Sequence, residues 1–425
     1  MERRLEISAI APGGEGVSHV VDGGRRRAVF VAKAAPGDVI DAEVDFGKKP
    51  ARARIVRVVD PSPLRVEPPC SFAERCGGCD LMHVGVAAQL EIHAGIVKSA
   101  LERAVGGELC PVESHAAPRD VGYRSRARVA ISASRGKVLL GYRRSSSNDV
   151  EDIASCLVLD AALSGWLGPL REYFRRERGS GEANLALGSA GRPVLDLHWS
   201  GELTGAFFGA LGGAVESGAC SGACVWLKGA REPARIGDPR ALTTAADGQP
   251  LLVPSGGFAQ AHVAMNAKLG DRVLALGGVQ GTEVLELFAG SGNFSVLLAA
   301  HAAALTTVES DPSAVEVARM NLRSRSLTAR VVQADADAFD VPKAVRTVLL
   351  DPPRTGAAGA SERLARSKVR RVVYVSCDAA TLARDVAILV PSGFAVQTVE
   401  TFEMFPHTSH VESLVVLDRP KRGEA

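Results

Sequence analysis

The chain has 425 residues, of which 46% are hydrophobic and 23% charged. At about 150 residues per domain this gives two to four domains and excludes a disordered chain or a peptide-sized scaffold. No run approaches the roughly 18 apolar residues that cross a bilayer, and the start, MERRLEISAI, lacks a signal peptide's apolar core, so a cytoplasmic chain without membrane contact is expected.

Residues 1–60 alternate apolar and polar side chains in runs such as AVFVAK and DVIDAEV, split by GGEG, DGG and PGD. That pattern predicts a small antiparallel barrel, a first domain over 1–62 that PSPLRVEPP ends. In CSFAERCGGC, Cys70, Cys76 and Cys79 are spaced so that their thiolates can converge on one centre, with Gly77 and Gly78 allowing a tight turn. Eight cysteines are too few for a disulfide scaffold, so this cluster is expected to bind metal, and a fourth ligand must come from elsewhere. Residues 87–105 have apolar positions at helical spacing. RARVAISAS and KVLLGYR then flank Arg135-Gly136 as a hairpin, and VLDLHW and ACVWLKG follow as further strands, so 63–250 reads as a central mixed α/β domain. Within it, residues 119–144 hold eight Lys/Arg against one Asp, interleaved with Tyr123 and Tyr142, although the net charge of the whole chain is only +2. This patch suits a polyanion, and a solvated strand pair accounts for it equally well.

From 251 to 425 strands and helices alternate, which predicts a Rossmann-like parallel sheet of seven strands: EVLEL, ALTTVE, ARVVQAD, TVLLD, RVVYVS, AVQTVE and ESLVVLD. The overall class is α/β. LELFAGSGNFS joins the first strand to a helix through Gly290 and Gly292, which let backbone approach a ligand. Glu309 ends the next strand 19 residues after Gly290, where a carboxylate can bind ribose hydroxyls, and Asp335 ends the third on the adenine side. A dinucleotide dehydrogenase uses a similar turn, but its G-x-G-x-x-G spacing is missing here; the loop instead resembles that of S-adenosylmethionine-dependent methyltransferases.

The fourth strand ends in DPPRTG. Amine methyltransferases carry an aromatic residue where this chain has Arg354, which points instead to a substrate with phosphate or carbonyl groups. The fifth strand ends in VSCDAATLARD, placing Cys377 at the carboxyl edge of the sheet before a helix start, a setting expected to lower a thiol pKa. Carbon 5 of uracil is a poor nucleophile until a thiolate adds to carbon 6, and the cycle then needs a base to take the carbon 5 proton. Glu412 in EMFPHTSHVES suits that role, with His407 and His410 as alternatives and Asp351 binding the uracil edge or ordering the site.

GGEGVS, CGGC, YRSRAR, LFAGSGNF, DPPRTG, SCDAATLARD and MFPHTSHVE together resemble the RNA uracil-C5 methyltransferases over nearly the whole chain. The resemblance implies that the first domain is an OB-like TRAM barrel that binds RNA and that the product is 5-methyluridine. It implies Cys377 as nucleophile and Glu412 as general base, with Gln260, Phe288, Asn293, Glu309, Asp335 and Asp351 contacting the methyl donor. It also supplies Cys156 as fourth metal ligand and a [4Fe-4S] cluster, where spacing alone fits zinc equally. Relatives with both barrel and cluster favour 23S ribosomal RNA, and transfer RNA stays open. A monomer is expected. Three positions depart from the family pattern: Leu157 in place of proline, His262 in place of asparagine, and Asp378-Ala379 in place of Asn-Pro, where the extra carboxylate is expected to raise the Cys377 pKa. Cys110, Cys220 and Cys224 receive no role. A non-catalytic RNA-binding protein with this fold is the rival reading, and an RNA cytosine methyltransferase is disfavoured because it would carry a cysteine where Asp351-Pro352 stands.

Overall fold

A computed structural model describes residues 2–145 and 147–420. Six strands form the first sheet, in the order Glu2–Glu6, Val39–Asp45, Ala51–Asp60, Arg25–Val31, Gly16–Asp22, Ala9–Ile10. Its two outermost strands are consecutive in the chain, separated only by Ile7 and Ser8, so the sheet curls until its edges meet around Leu5, Val29, Val31 and Ile40. It is not wholly antiparallel as expected: Arg25–Val31 and Ala51–Asp60 run parallel, because the 39–60 hairpin docks through its second arm.

A second sheet of seven strands spans Arg126–Ser134 to Ala234–Gly237 and includes the expected hairpin, whose Arg135 and Gly136 both adopt positive φ. Alternate residues Ala127, Val129, Ile131 and Ala133 face one side and pack on helices Ala161–Tyr173 and Gly205–Glu216.

The third sheet holds the seven predicted strands in the order Arg330–Gln333, Ala304–Glu309, Glu283–Leu287, Thr347–Leu350, Arg371–Ser376, Glu412–Asp418, Ala395–Phe402. The first five are parallel, and the apolar runs of the central three, Glu283–Leu287, Thr347–Leu350 and Arg371–Ser376, are buried on both faces. Glu412–Asp418 is antiparallel to both neighbours, so the sheet is mixed rather than parallel throughout. An eighth strand, Val112–His115, adds to Ala395–Phe402. Helix Val86–Val105 packs Ile96, Val97 and Leu101 on one face of this sheet beside helix Ala379–Leu389, while helix Val263–Gly277 covers the other. The stretch read as one central domain thus contributes a helix and a strand to the C-terminal sheet. Period-2 and period-3.6 patterns report which face of an element is apolar, and they do not report which sheet buries it.

Candidate active site and cysteine centre

The parallel strands end together at one edge, and every site residue expected on the C-terminal sheet except Gln260 and Glu412 follows one of those ends. Phe288, Gly290 and Gly292 take φ of 64°, 53° and 89°, so the loop after Glu283–Leu287 folds back on itself and turns backbone toward the edge. Glu309 accepts hydrogen bonds from Gly290 N (2.9 Å) and Asp311 N (2.8 Å), bracing that loop. Asn293 is committed too: its Oδ1 accepts from Ala246 N (3.0 Å), and its amide pairs reciprocally with Asn266 at 2.9 Å. Asp335 is exposed and caps the short turn that follows it through Asp337 N. Gln260 is buried with an Oε1 that no group among the described residues satisfies. A buried acceptor without a partner calls for one from outside the chain, such as water or a ligand.

Cys377 follows Arg371–Ser376, and the antiparallel pairing of Ser376 with Ser413 sets Glu412 opposite it. The strand-tip setting does not lower this thiol. Burial, followed by the charges of Glu412 and Asp351, pushes its pKa up to about 12, and Arg354 is the cation that opposes them. Asp378 adds to the rise as expected, but it is the last of these contributors, because its carboxylate caps helix Ala379–Leu389 at Ala380 N and Thr381 N. Burial likewise holds Glu412 well above the usual carboxylate range, with the Asp351 charge adding to it, and burial raises Asp351. Arg354 Nη2 lies 2.9 Å from His410 Nε2. His407 lies between Gln89 Nε2 (3.4 Å from its Nδ1) and Asp120 (3.4 Å from its Nε2). Sequence reading missed Glu286, a fully buried acid beneath the glycine loop that Ser295 hydrogen-bonds and whose pKa burial raises to about 8.

Cys70, Cys76, Cys79 and Cys156 are free thiols lining one cavity with Phe72, Met82, Arg124 and Tyr142. Burial and mutual charge raise the pKa of Cys76 and Cys79, the latter to about 12, with Lys33 opposing the rise at Cys76 and Arg124 at Cys79. Leu157, at a position of departure, is exposed beside this cavity. His262, another departure, caps helix Val263–Gly277 through Met265 N and stacks on Tyr123 at 5.0 Å. Cys220 and Cys224 are buried in the second sheet's packing. Glu113, His115 and Glu400 also cluster, but Arg272 neutralises Glu400 and His115 stacks on Phe402, so they form a closed ion-pair network. The charge counted over 119–144 is partly cancelled, since Glu182 pairs with Arg128 and Arg143, and Glu151 with Arg144. Arg124 and Arg126 have no carboxylate partner among the described residues.

A family model described as tRNA (Uracil-5-)-methyltransferase matches residues 329–420, and a TRM5/TYW2 methyltransferase domain matches 264–357. The 23S rRNA (uracil(1939)-C(5))-methyltransferase RlmD of Halomonas elongata is 36% identical, covering 98% of this chain and 90% of its own. The chain belongs to the RNA uracil-C5 methyltransferase family. The family member of the same name from Pseudomonas putida is 34% identical over 98% of this chain and 94% of that one. Among solved structures, the tRNA (uracil-54, C5)-methyltransferase of Pyrococcus abyssi, bound to S-adenosyl-L-homocysteine, superposes with a TM-score of 0.75 at 25% identity, covering 98% of this chain and 100% of that one. The first family model runs through the segment that carries Cys377, and the second through the glycine loop.

Proposed function

We propose that this protein transfers a methyl group from S-adenosylmethionine to carbon 5 of a uridine in 23S ribosomal RNA, through a covalent adduct of Cys377 at carbon 6. The observation that carries the reading is the enclosure of a thiol beside two buried carboxyls, Glu412 and Asp351, at the sheet edge. The orphan Oε1 of Gln260 and the carboxylate of Glu309 beside the glycine loop suit a cationic sulfonium ligand. When bound there, S-adenosylmethionine supplies an electrophilic methyl group.

Cys377 Sγ gives its proton to a neighbouring carboxylate and adds to carbon 6, which moves the ring electron pair onto carbon 5. Arg354 lies on the Cys377 side that favours the thiolate. Carbon 5 takes the methyl group as the bond from that methyl to the sulfonium sulfur breaks, leaving S-adenosylhomocysteine; the Glu412 carboxylate then removes the carbon 5 proton, the ring double bond re-forms and the bond from carbon 6 to Cys377 Sγ breaks, returning the thiolate. A carboxylate whose proton affinity is raised by burial is a stronger base for this step. Asp351 orients the uracil edge.

The four thiols Cys70, Cys76, Cys79 and Cys156 would hold a [4Fe-4S] cluster, which supplies a structural cross-link between segments distant in sequence. All four line one cavity, and an all-thiolate donor set suits such a cluster, with zinc the other ion it would take. The curled first sheet serves as the TRAM-type RNA-binding barrel, and Arg124 and Arg126 meet phosphates beside the active edge.

Digestion and mass spectrometry of RNA from a gene-deletion strain tests the reading: loss of one 5-methyluridine from 23S rRNA is expected, and loss from tRNA alone would move the substrate there. Cys377→Ser is expected to abolish transfer and to abolish the covalent complex with RNA carrying 5-fluorouracil. Transfer at an undiminished rate would refute the adduct.

A further inference from the structure

The loop 403–411, which leads into Glu412, is held in large part by the segment that follows the cysteine motif. Asp80 is the residue next to Cys79, and its two oxygens accept from Ser409 N (2.7 Å) and Ser409 Oγ (2.6 Å). Leu81 N donates to His407 O at 3.0 Å, and Gln89 Oε1 accepts from His407 N at 2.7 Å. His93 bridges Glu403 (2.6 Å) and the Thr408 carbonyl (3.0 Å). Tyr123, packed with Cys70, Cys79 and Cys156, donates its hydroxyl to the Pro406 carbonyl at 3.1 Å.

These contacts are needed because His407 has φ of 69°, a left-handed conformation that a non-glycine residue keeps only where its surroundings enforce it. On the other side, Lys33 of the first sheet donates to the Cys79 carbonyl at 2.8 Å. Gly14, at φ 79°, sits so close that a Cβ there would collide with the Asp80 carboxylate. Cys79 and Asp80 are therefore where the barrel, the cysteine centre and the catalytic loop meet.

We propose that Asp80 is a positioning residue that ties loop 403–411 to the cysteine centre, so that a filled metal site sets the placement of His410 and Glu412. The inference rests on the function proposed above. Its chemistry is a charge-assisted bond from one carboxylate to both donors of a single residue, which fixes the position and the rotation of Ser409. His410 follows directly and carries the contact to Arg354, the cation beside Cys377.

The test uses full-length protein of measured metal content and reads hydrogen–deuterium exchange across 403–411 together with kinetics. Asp80→Ala at wild-type metal content is expected to raise exchange in the loop and lower kcat, each by about tenfold, with KM for RNA within about twofold. Asp80→Asn, which keeps an acceptor for Ser409 N, restores most of both. Ser409→Ala gives a smaller change in the same direction and replaces Asp80→Ala should that variant not fold. Chelation of the wild-type metal raises exchange in the same loop. Unchanged exchange and kcat in Asp80→Ala, an Asp80→Asn as impaired as the alanine, or a loop indifferent to chelation would each overturn the proposal. Wild-type protein that forms no 5-methyluridine would refute the proposed function instead, while the exchange readout would still decide the clamp.

Discussion

Glu412 faces Cys377 across an antiparallel strand pair, one step beyond the bonded partners Ser376 and Ser413. Both side chains must be negative during turnover, and the Glu412 charge makes that harder for the thiol. Glu412→Gln removes the carboxyl whose charge raises the thiol, so the Cys377 pKa falls and alkylation by iodoacetamide at alkaline pH, where that carboxyl is ionised, speeds up. Turnover to free 5-methyluridine falls in the same variant by at least about a hundredfold, because the carbon 5 proton has no acceptor, and the methylated RNA–protein adduct accumulates. Slower alkylation in the variant would show that the carboxyl does not act on the sulfur.

Asp378 has two separable roles. Asp378→Asn keeps an N-cap acceptor for helix Ala379–Leu389 while removing a charge that raises the thiol, so stability is held and Cys377 reacts modestly faster. Asp378→Ala loses the cap and costs about 0.5–2 kcal/mol of stability. Denaturant melts of both, run beside alkylation rates, separate the effects; equal melts would leave the cap without energetic weight.

Glu286 predicts a pH dependence of stability. Its pKa is raised to about 8 in the fold by burial, against an ordinary carboxylate value in the unfolded chain. The unfolded chain releases this proton first, so the group's contribution is full at acid pH and drains away as pH rises from about 4.3 to about 8, after which it changes no further. Glu286→Gln should therefore gain on wild type across that window in thermal melts. Parallel curves for the two proteins would exclude a buried neutral acid at this position.

The cysteine centre predicts brown protein after anaerobic purification, with iron and sulfide lost together in Cys156→Ser. Metal analysis showing one zinc and no iron would replace the cluster with a single ion.

Much of this site could be read from residues alone because its parts sit at strand ends, where loop motifs such as LFAGSGNFS and DPPRTG are contiguous. The helix over 87–105 was legible by its period, and it is observed at Val86–Val105. What could not be read is long-range. Nothing in VESH announces the eighth strand of the catalytic sheet, since four residues carry too little pattern to choose a partner. The thiol pKa was read with the wrong sign because the helix start is local in sequence, whereas Glu412, 35 residues further on, arrives beside the sulfur only through strand pairing. The net positive charge of 119–144 was overcounted for the same reason, Glu182 and Glu151 being supplied from outside it.

Strand Val112–His115 has a practical corollary for anyone dividing this chain. A fragment beginning near residue 251 would leave the Ala395–Phe402 strand without its outer neighbour and strip helix Val86–Val105 from the apolar layer it covers. Such a piece would carry an adhesive open flank and tend to self-associate. On the ribosome, residues 86–115 emerge long before the sheet that receives them, so they must wait unsheltered while some 280 further residues are made.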